Sequence, residues 1–273
     1  MSPPKASDLQ PLIELVARLR APDGCPWDRE QTLPDLRAYL LEEAHEVADA
    51  IDRGAWDELA GELGDLLFHI VFIGHLARES GHFELPAVIA GIHAKMVARH
   101  PHVFGGEQLA DAAEVAAAWE KRKLKAQPGA PSLLAGVASS LPALLAAYRM
   151  TQKAAGVGFD WARPAEVLDK LEEEIRELRQ ALAQPPATDT ASDDNARQGA
   201  IREEIGDLLF TIANLGRKLG VDPEAALAGT NLKFRRRFGH VEERLRGDGR
   251  RLDEASLAEM DALWEEAKGA ERS

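Results

Sequence analysis

The chain has 273 residues, 46 of them Asp or Glu and 33 Lys or Arg, giving a formal net charge of -13 at pH 7. That balance excludes a nucleic-acid backbone as partner, because binding along a duplex needs a basic stripe; a free nucleotide carrying its own divalent ion meets no such objection. Cys25 is the only cysteine, so an intramolecular disulfide is ruled out and a reducing compartment is expected. Met1 to Lys5 lack an apolar signal core and no stretch approaches the length of a bilayer span, so the expectation is a soluble, cytoplasmic protein with no membrane partner.

Apolar residues recur at helical spacing from Leu9 to Leu19, and Pro22-Asp23-Gly24 ends that first helix. After a loop holding Cys25-Pro26-Trp27-Asp28, a second helix is predicted from Leu33 to Arg53 with Gly54 as its C-terminal cap. A third begins near Asp57 and stops at Gly81, a fourth covers Leu85 to Arg99, and His100-Pro101-His102 ends it. A further helix is expected from Asp111 to Lys123, and residues 127–140, rich in Pro, Gly and small side chains, read as a linker. The second half repeats this order. Leu144 to Lys153 opens it, Val157-Gly158-Phe159-Asp160 stands where Cys25-Pro26-Trp27-Asp28 stood, and helices follow at Glu166 to Leu182 and Glu203 to Leu219. Between these two lies a disorder-prone insertion, Gln184 to Asn195. Alternating β-branched and aromatic runs are essentially missing, so the fold class is all-α, a tandem repeat of two helical bundles with domains at 1–126 and 141–273.

The repeat carries chemistry. Glu42-Glu43-x-x-Glu46 is followed by Glu62-x-x-Asp65, and Glu173-Glu174-x-x-Glu177 by Glu204-x-x-Asp207. Residues three apart share a helix face, so Glu43 with Glu46 and Glu62 with Asp65 form carboxylate pairs on two separate helices. Each second element runs into the same apolar string, Gly-Asp-Leu-Leu-Phe, which places the acids beside a bundle core. At an effective dielectric of about 20, two unit charges roughly 4 Å apart repel by about 4 kcal/mol. A hard divalent cation, Mg²⁺ or Mn²⁺, is the natural remedy for an all-carboxylate donor set.

Cations recur in step with the acids. Lys95 and Arg99 are four apart, as are Lys233 and Arg237, and Trp119 with Lys123 matches Trp264 with Lys268. A Lys/Arg pair on one face suits phosphate oxygens, and an indole offers either core packing or a surface on which a base stacks.

With these motifs in this order, both halves of the chain resemble the MazG nucleoside triphosphate pyrophosphohydrolases of the all-α NTP pyrophosphatase superfamily, in their two-domain form. Gly24-Cys25-Pro26-Trp27-Asp28, His100-Pro101-His102-Val103-Phe104 and Val157-Gly158-Phe159-Asp160-Trp161 add to the likeness. The resemblance implies hydrolysis of a nucleoside triphosphate between the α and β phosphates, a requirement for Mg²⁺, and a homodimer. It implies metal ligands at Glu43, Glu46, Glu62 and Asp65, and at Glu174, Glu177, Glu204 and Asp207. Nucleotide contacts would fall to Lys233, Arg237 and Trp264, with Lys95, Arg99 and Trp119 as their first-half equivalents. Glu173 or Glu42, beside the acid pairs but outside their i, i+3 pattern, is the expected general base. His45 and Gly61 in the first half replace Arg176 and Glu203 of the second, so either site or both are expected to work. Glu42-x-x-His45 also fits a di-iron bundle, but Arg176 takes the histidine's place in the second copy and disfavours it.

Overall fold

The computed structural model describes residues 9–111, 114, 115, 118, 119, 122, 132–183 and 191–271, with side chains in the last segment from 195 onward. Among these residues there are helices and turns and no strands. The expected helix from Asp111 to Lys123 lies largely outside them. The chain divides into two compact units, Met1–Leu109 and Ala110–Ser273.

The first unit contains α1 (Gln10–Leu19), α2 (Pro26–Glu30), α3 (Leu33–Arg53), α4 (Trp56–Glu79), α5 (Leu85–Arg99) and α6 (Pro101–Phe104). At the start of α3 the Asp35 carboxylate accepts hydrogen bonds from the Thr32 backbone N–H at 2.9 Å and its hydroxyl at 2.5 Å, satisfying groups that a helix end leaves open. Gly54 ends α3 at φ 65°, a left-handed conformation that costs a glycine nothing. Only Gly54 and Ala55 separate α3 from α4, so the two helices fold back as antiparallel neighbours. Val16, Leu36, Val71, Phe72 and Leu76, from α1, α3 and α4, make the core. Arg20 ties the ends together, donating to both Glu79 carboxylate oxygens and to the Asp28 carbonyl at 2.6 Å.

In the second unit a 3-10 turn at Leu133–Gly136 precedes α7 (Ala143–Ala155), α8 (Pro164–Ala183), α9 (Ala191–Leu219), α10 (Pro223–Gly247) and α11 (Leu257–Ala270). The α8–α9 pair repeats the α3–α4 pair. Its buried apolar residues include Ala147, Val167, Ala181, Ala213, Val241, Leu245 and Ala267, on the whole smaller side chains than those of the first unit. Asp222 caps α10 by accepting from the Glu224 and Ala225 N–H groups at 2.9 and 3.1 Å.

Three local expectations need correction. Pro26 starts a short helix where a loop was expected, because its fixed φ suits a first helical position. The last part of the insertion is helical, since α9 begins at Ala191 rather than near Glu203; the intervening Ala, Arg and Gln residues are good helix formers, and Arg197 caps α8 through the Leu182 carbonyl at 3.2 Å. Finally, one helix, α4, is long and apolar enough by length and composition to cross a membrane. The same helix carries Glu62 and Asp65 and packs on α3.

Candidate metal and nucleotide site

In the first unit, oxygens of Glu43, Glu62 and Asp65 lie within 4.8 Å of one another. Helix pairing explains this: Glu43 looks out from α3 toward the Glu62/Asp65 face of antiparallel α4. Glu46 is outside that trio yet close enough to act on it. Desolvation, then the charges of Glu46 and Asp65, raise the Glu43 carboxyl above the usual range, and the same causes with a Glu46 hydrogen bond raise Glu62. His69 opposes the shift at Glu43, its Nε2 standing 3.5 Å from Glu43 Oε1 while its ring stacks on Tyr39.

The second unit has a comparable trio in Glu174, Glu177 and Glu204, whose oxygens also lie within 4.8 Å of one another, with Glu177 rather than the counterpart of Asp65 as its third member. Glu174 is the most enclosed, at 4% exposure. Desolvation and then the charges of Glu177, Glu174 and Asp207 raise Glu204, and its Oε2 is buried without a hydrogen-bond partner. Asp207 is exposed and stands outside the trio.

Lys170 is a member of this site that sequence reasoning missed. Its ammonium is 2.7 Å from both Glu173 Oε1 and Glu174 Oε1, and its hydrogen bond holds the Glu173 carboxyl below the usual range. The available signal was its position three residues before Glu173 and four before Glu174, on the same helix face. Tyr39 occupies the matching place in the first unit.

The expected cations and indoles are placed less uniformly. Lys95 and Lys233 are exposed, and neither makes an ion pair among the described residues. Arg99 is half-buried. Arg237 donates to Glu271 at 2.6 Å and stacks over the Trp264 ring at 5.6 Å, while Trp264 also meets Phe234 at 5.2 Å. Arg237 first, then Arg236, lower the Glu271 carboxyl to about 2. Trp119 falls within the residue range of the second unit and is half-buried. Glu42 is exposed, and neither it nor His45 belongs to the acidic trios, which leaves the di-iron alternative without its histidine.

A divalent cation fits both trios. Three oxygens within reach of one centre, carboxyls made reluctant to ionise by their neighbours, and an unpartnered buried oxygen on Glu204 are the marks of a site that gains by adding positive charge. An all-α pair of bundles with such a trio in each defines a class of helical proteins with a candidate divalent-cation site in each unit.

The family is shown by comparison with known proteins. The model of the MazG nucleotide pyrophosphohydrolase domain matches the chain twice, at residues 31–104 and 163–242. The chain is similar to the nucleoside triphosphate pyrophosphohydrolase of Escherichia coli K12, 41% identical over 95% of this chain and 97% of that protein. It is 40% identical to the nucleoside triphosphate pyrophosphohydrolase/pyrophosphatase MazG of Thermotoga maritima, over 96% of each chain. It also matches the uncharacterized protein YabN of Bacillus subtilis, 39% identical over 94% of this chain and 51% of that protein. The chain belongs to the MazG nucleotide pyrophosphohydrolase family, and it is an enzyme of that class.

Proposed function

We propose that the chain cleaves nucleoside triphosphates between the α and β phosphates, releasing a nucleoside monophosphate and pyrophosphate, as a soluble cytoplasmic enzyme that clears the nucleotide pool. The observation that carries this reading is a three-acid group in each unit of a chain from this family, with Glu43 and Glu62 of the first at the positions of Glu174 and Glu204 in the second. The names of the Escherichia and Thermotoga relatives support it.

Mg²⁺, or Mn²⁺ in its place, would be held by Glu43, Glu62 and Asp65 with Glu46 beside them, and by Glu174, Glu177 and Glu204 with Asp207 beside them. When bound it supplies charge neutralisation at the phosphates and lowers the pKa of water. The remaining work falls to the chain. Lys233 and Arg237, with Lys95 and Arg99 as counterparts, would bind phosphate oxygens and stabilise the charge that builds on the pyrophosphate leaving group. Arg237 reaches a phosphate by exchanging the Glu271 carboxylate for it, so Glu271 keeps the guanidinium in place until substrate arrives. Trp264 and Trp119 would contact the nucleotide. Glu173, whose Oε1 accepts from Lys170, is the proposed proton acceptor for the attacking water through its second oxygen, and Glu42 is its counterpart.

We also propose a homodimer. Leu63, Leu67 and Ile70 are exposed along one stripe of α4, and Ile205, Leu209 and Ile212 repeat that stripe on α9. Apolar stripes at i, i+4, i+7 call for a partner helix.

Hydrolysis in water labelled with heavy oxygen tests the bond cleaved. Label in the nucleoside monophosphate means attack at the α phosphorus. Label in pyrophosphate means attack at the β phosphorus and removes the pyrophosphate leaving group, and release of inorganic phosphate removes the proposal.

A further inference from the structure

Resting on the nucleotide substrate proposed above, we infer that a cavity in the second unit, closed at its base by Asn214, takes the nucleobase of the bound triphosphate. The cavity, of about 390 Å³ and open to solvent on one side, is bordered by the 3-10 turn, α7, the segment before α8 and α9, and its walls include Leu134, Met150, Phe159, Trp161 and Phe210. These give flat apolar and aromatic surfaces. At its base, Asn214 is 2% exposed and supplies a directed polar group.

The orientation of that amide is set by its neighbours. Asn214 Oδ1 accepts from Arg217 Nε at 2.9 Å and from Arg217 Nη2 at 2.7 Å, and Arg217 is itself anchored on Asp160 at 2.5 Å. Reversing the amide would set N–H groups against N–H groups, so the oxygen faces Arg217 and the NH₂ faces away. That NH₂ makes no hydrogen bond among the described residues. It belongs to a residue that lines the cavity, where a ligand bringing an acceptor can meet it. A flat ring with apolar faces and acceptors on its edge is the chemistry that satisfies walls and base together. Nucleobases have it.

Helix register connects the cavity to the acids. Asp207, Phe210 and Asn214 are at i, i+3 and i+7 on α9, one face of one helix. Phe210 is thus about 4.5 Å along the axis from Asp207 at a rise of roughly 1.5 Å per residue. A triphosphate held at the acidic trio would direct its sugar and base along this face into the cavity. The first unit serves as an internal contrast. There Phe72 stands at the position of Asn214, 1% exposed and packed among Val16, Leu36, Val71 and Leu76. A side-chain ring fills the place that the second unit leaves for a ligand ring. Trp264 is already engaged by Phe234 and Arg237, so its indole has less free face to offer a base.

Calorimetric titration of the full chain with GMP, CMP and ribose 5-phosphate in Mg²⁺ buffer tests this. The wild type is expected to bind the nucleotides roughly tenfold or more tightly than the sugar phosphate, the scale of discrimination that pocket contacts to a ring provide. Asn214→Leu should bring nucleotide affinity down to that of ribose 5-phosphate. Phe159→Ala, at a wall residue 80% exposed and outside the core, should reduce the preference severalfold without threatening the fold. A wild type without base preference overturns the inference, as does a preference that survives both substitutions or is lost only in Trp264→Ala. Pyrophosphate release from GTP is measured on the same wild-type preparation. Its absence alongside an intact base preference would fail the proposed reaction and leave the cavity standing; the converse would fail the cavity alone.

Discussion

Removing Lys170 separates two roles of charge at the second site. The ammonium is the one cation within ion-pairing distance of Glu174 among the described residues, at 2.7 Å, and Glu174 is almost fully enclosed with Glu177 and Glu204 close by. In Lys170→Met the three carboxylates face one another without that offset. Breaking a fully buried pair costs about 3–5 kcal/mol. Lys170 is itself a third exposed, so solvent screening reduces the expected loss to about 1–2 kcal/mol. For a unit of this size, that is a fall of roughly 2–8 °C in the Tm of the metal-free protein. The same substitution frees Glu174 from a competitor, so Mg²⁺ affinity without nucleotide should rise. Calorimetric scans with EDTA and with Mg²⁺ should show a lower Tm in EDTA and a larger Mg²⁺ rescue than in the wild type. An unchanged Tm in EDTA together with weaker Mg²⁺ binding would refute the reasoning.

The raised carboxyls of Glu62 and Glu204 make a prediction about pH. A carboxyl with a folded pKa above its unfolded value costs stability as pH rises from the unfolded value of 4.5 through the folded one, because the folded state binds the extra proton. Glu62→Gln and Glu204→Gln should therefore stabilise the metal-free protein at pH 8 more than at pH 5, read from denaturant midpoints; equal effects at both pH values would contradict the assigned shifts. The exposed apolar stripes predict that Leu67→Glu with Leu209→Glu converts a dimer to monomer in sedimentation velocity, and an unchanged dimer would place the interface elsewhere.

Much of the fold was legible because its helices begin and end on strong local signals. Leu33 to Arg53 lies between Thr32/Asp35 and Gly54, and Leu85 to Arg99 between a proline start and His100-Pro101; both match the expected spans. The start of α9 was obscured because Ser, Asp and Asn around residue 192 read as turn formers, although Ala and Arg residues follow directly. The acid pairs were visible through i, i+3 spacing and duplication. Which oxygens meet depends on how α3 packs on α4 and α8 on α9, which is why Glu46 and Asp207 stand beside the trios rather than in them. Lys170 was passed over because a lysine near glutamates on a helix usually marks a solvated face. The Asn214 cavity had no periodic signal. Its walls come from Leu134, in an expected linker, from Met150, from Phe159 and from Phe210, which only the tertiary fold brings together.

In the proposed reaction, neighbouring helices gather carboxylates around a divalent ion in each unit. Titration of the metal-free chain with Mn²⁺, followed by electron paramagnetic resonance, tests it most directly. Glu43→Gln should weaken one class of sites, Glu174→Gln the other, and the double variant both, by about tenfold or more. Tight Mn²⁺ binding that survives in the double variant would contradict the account.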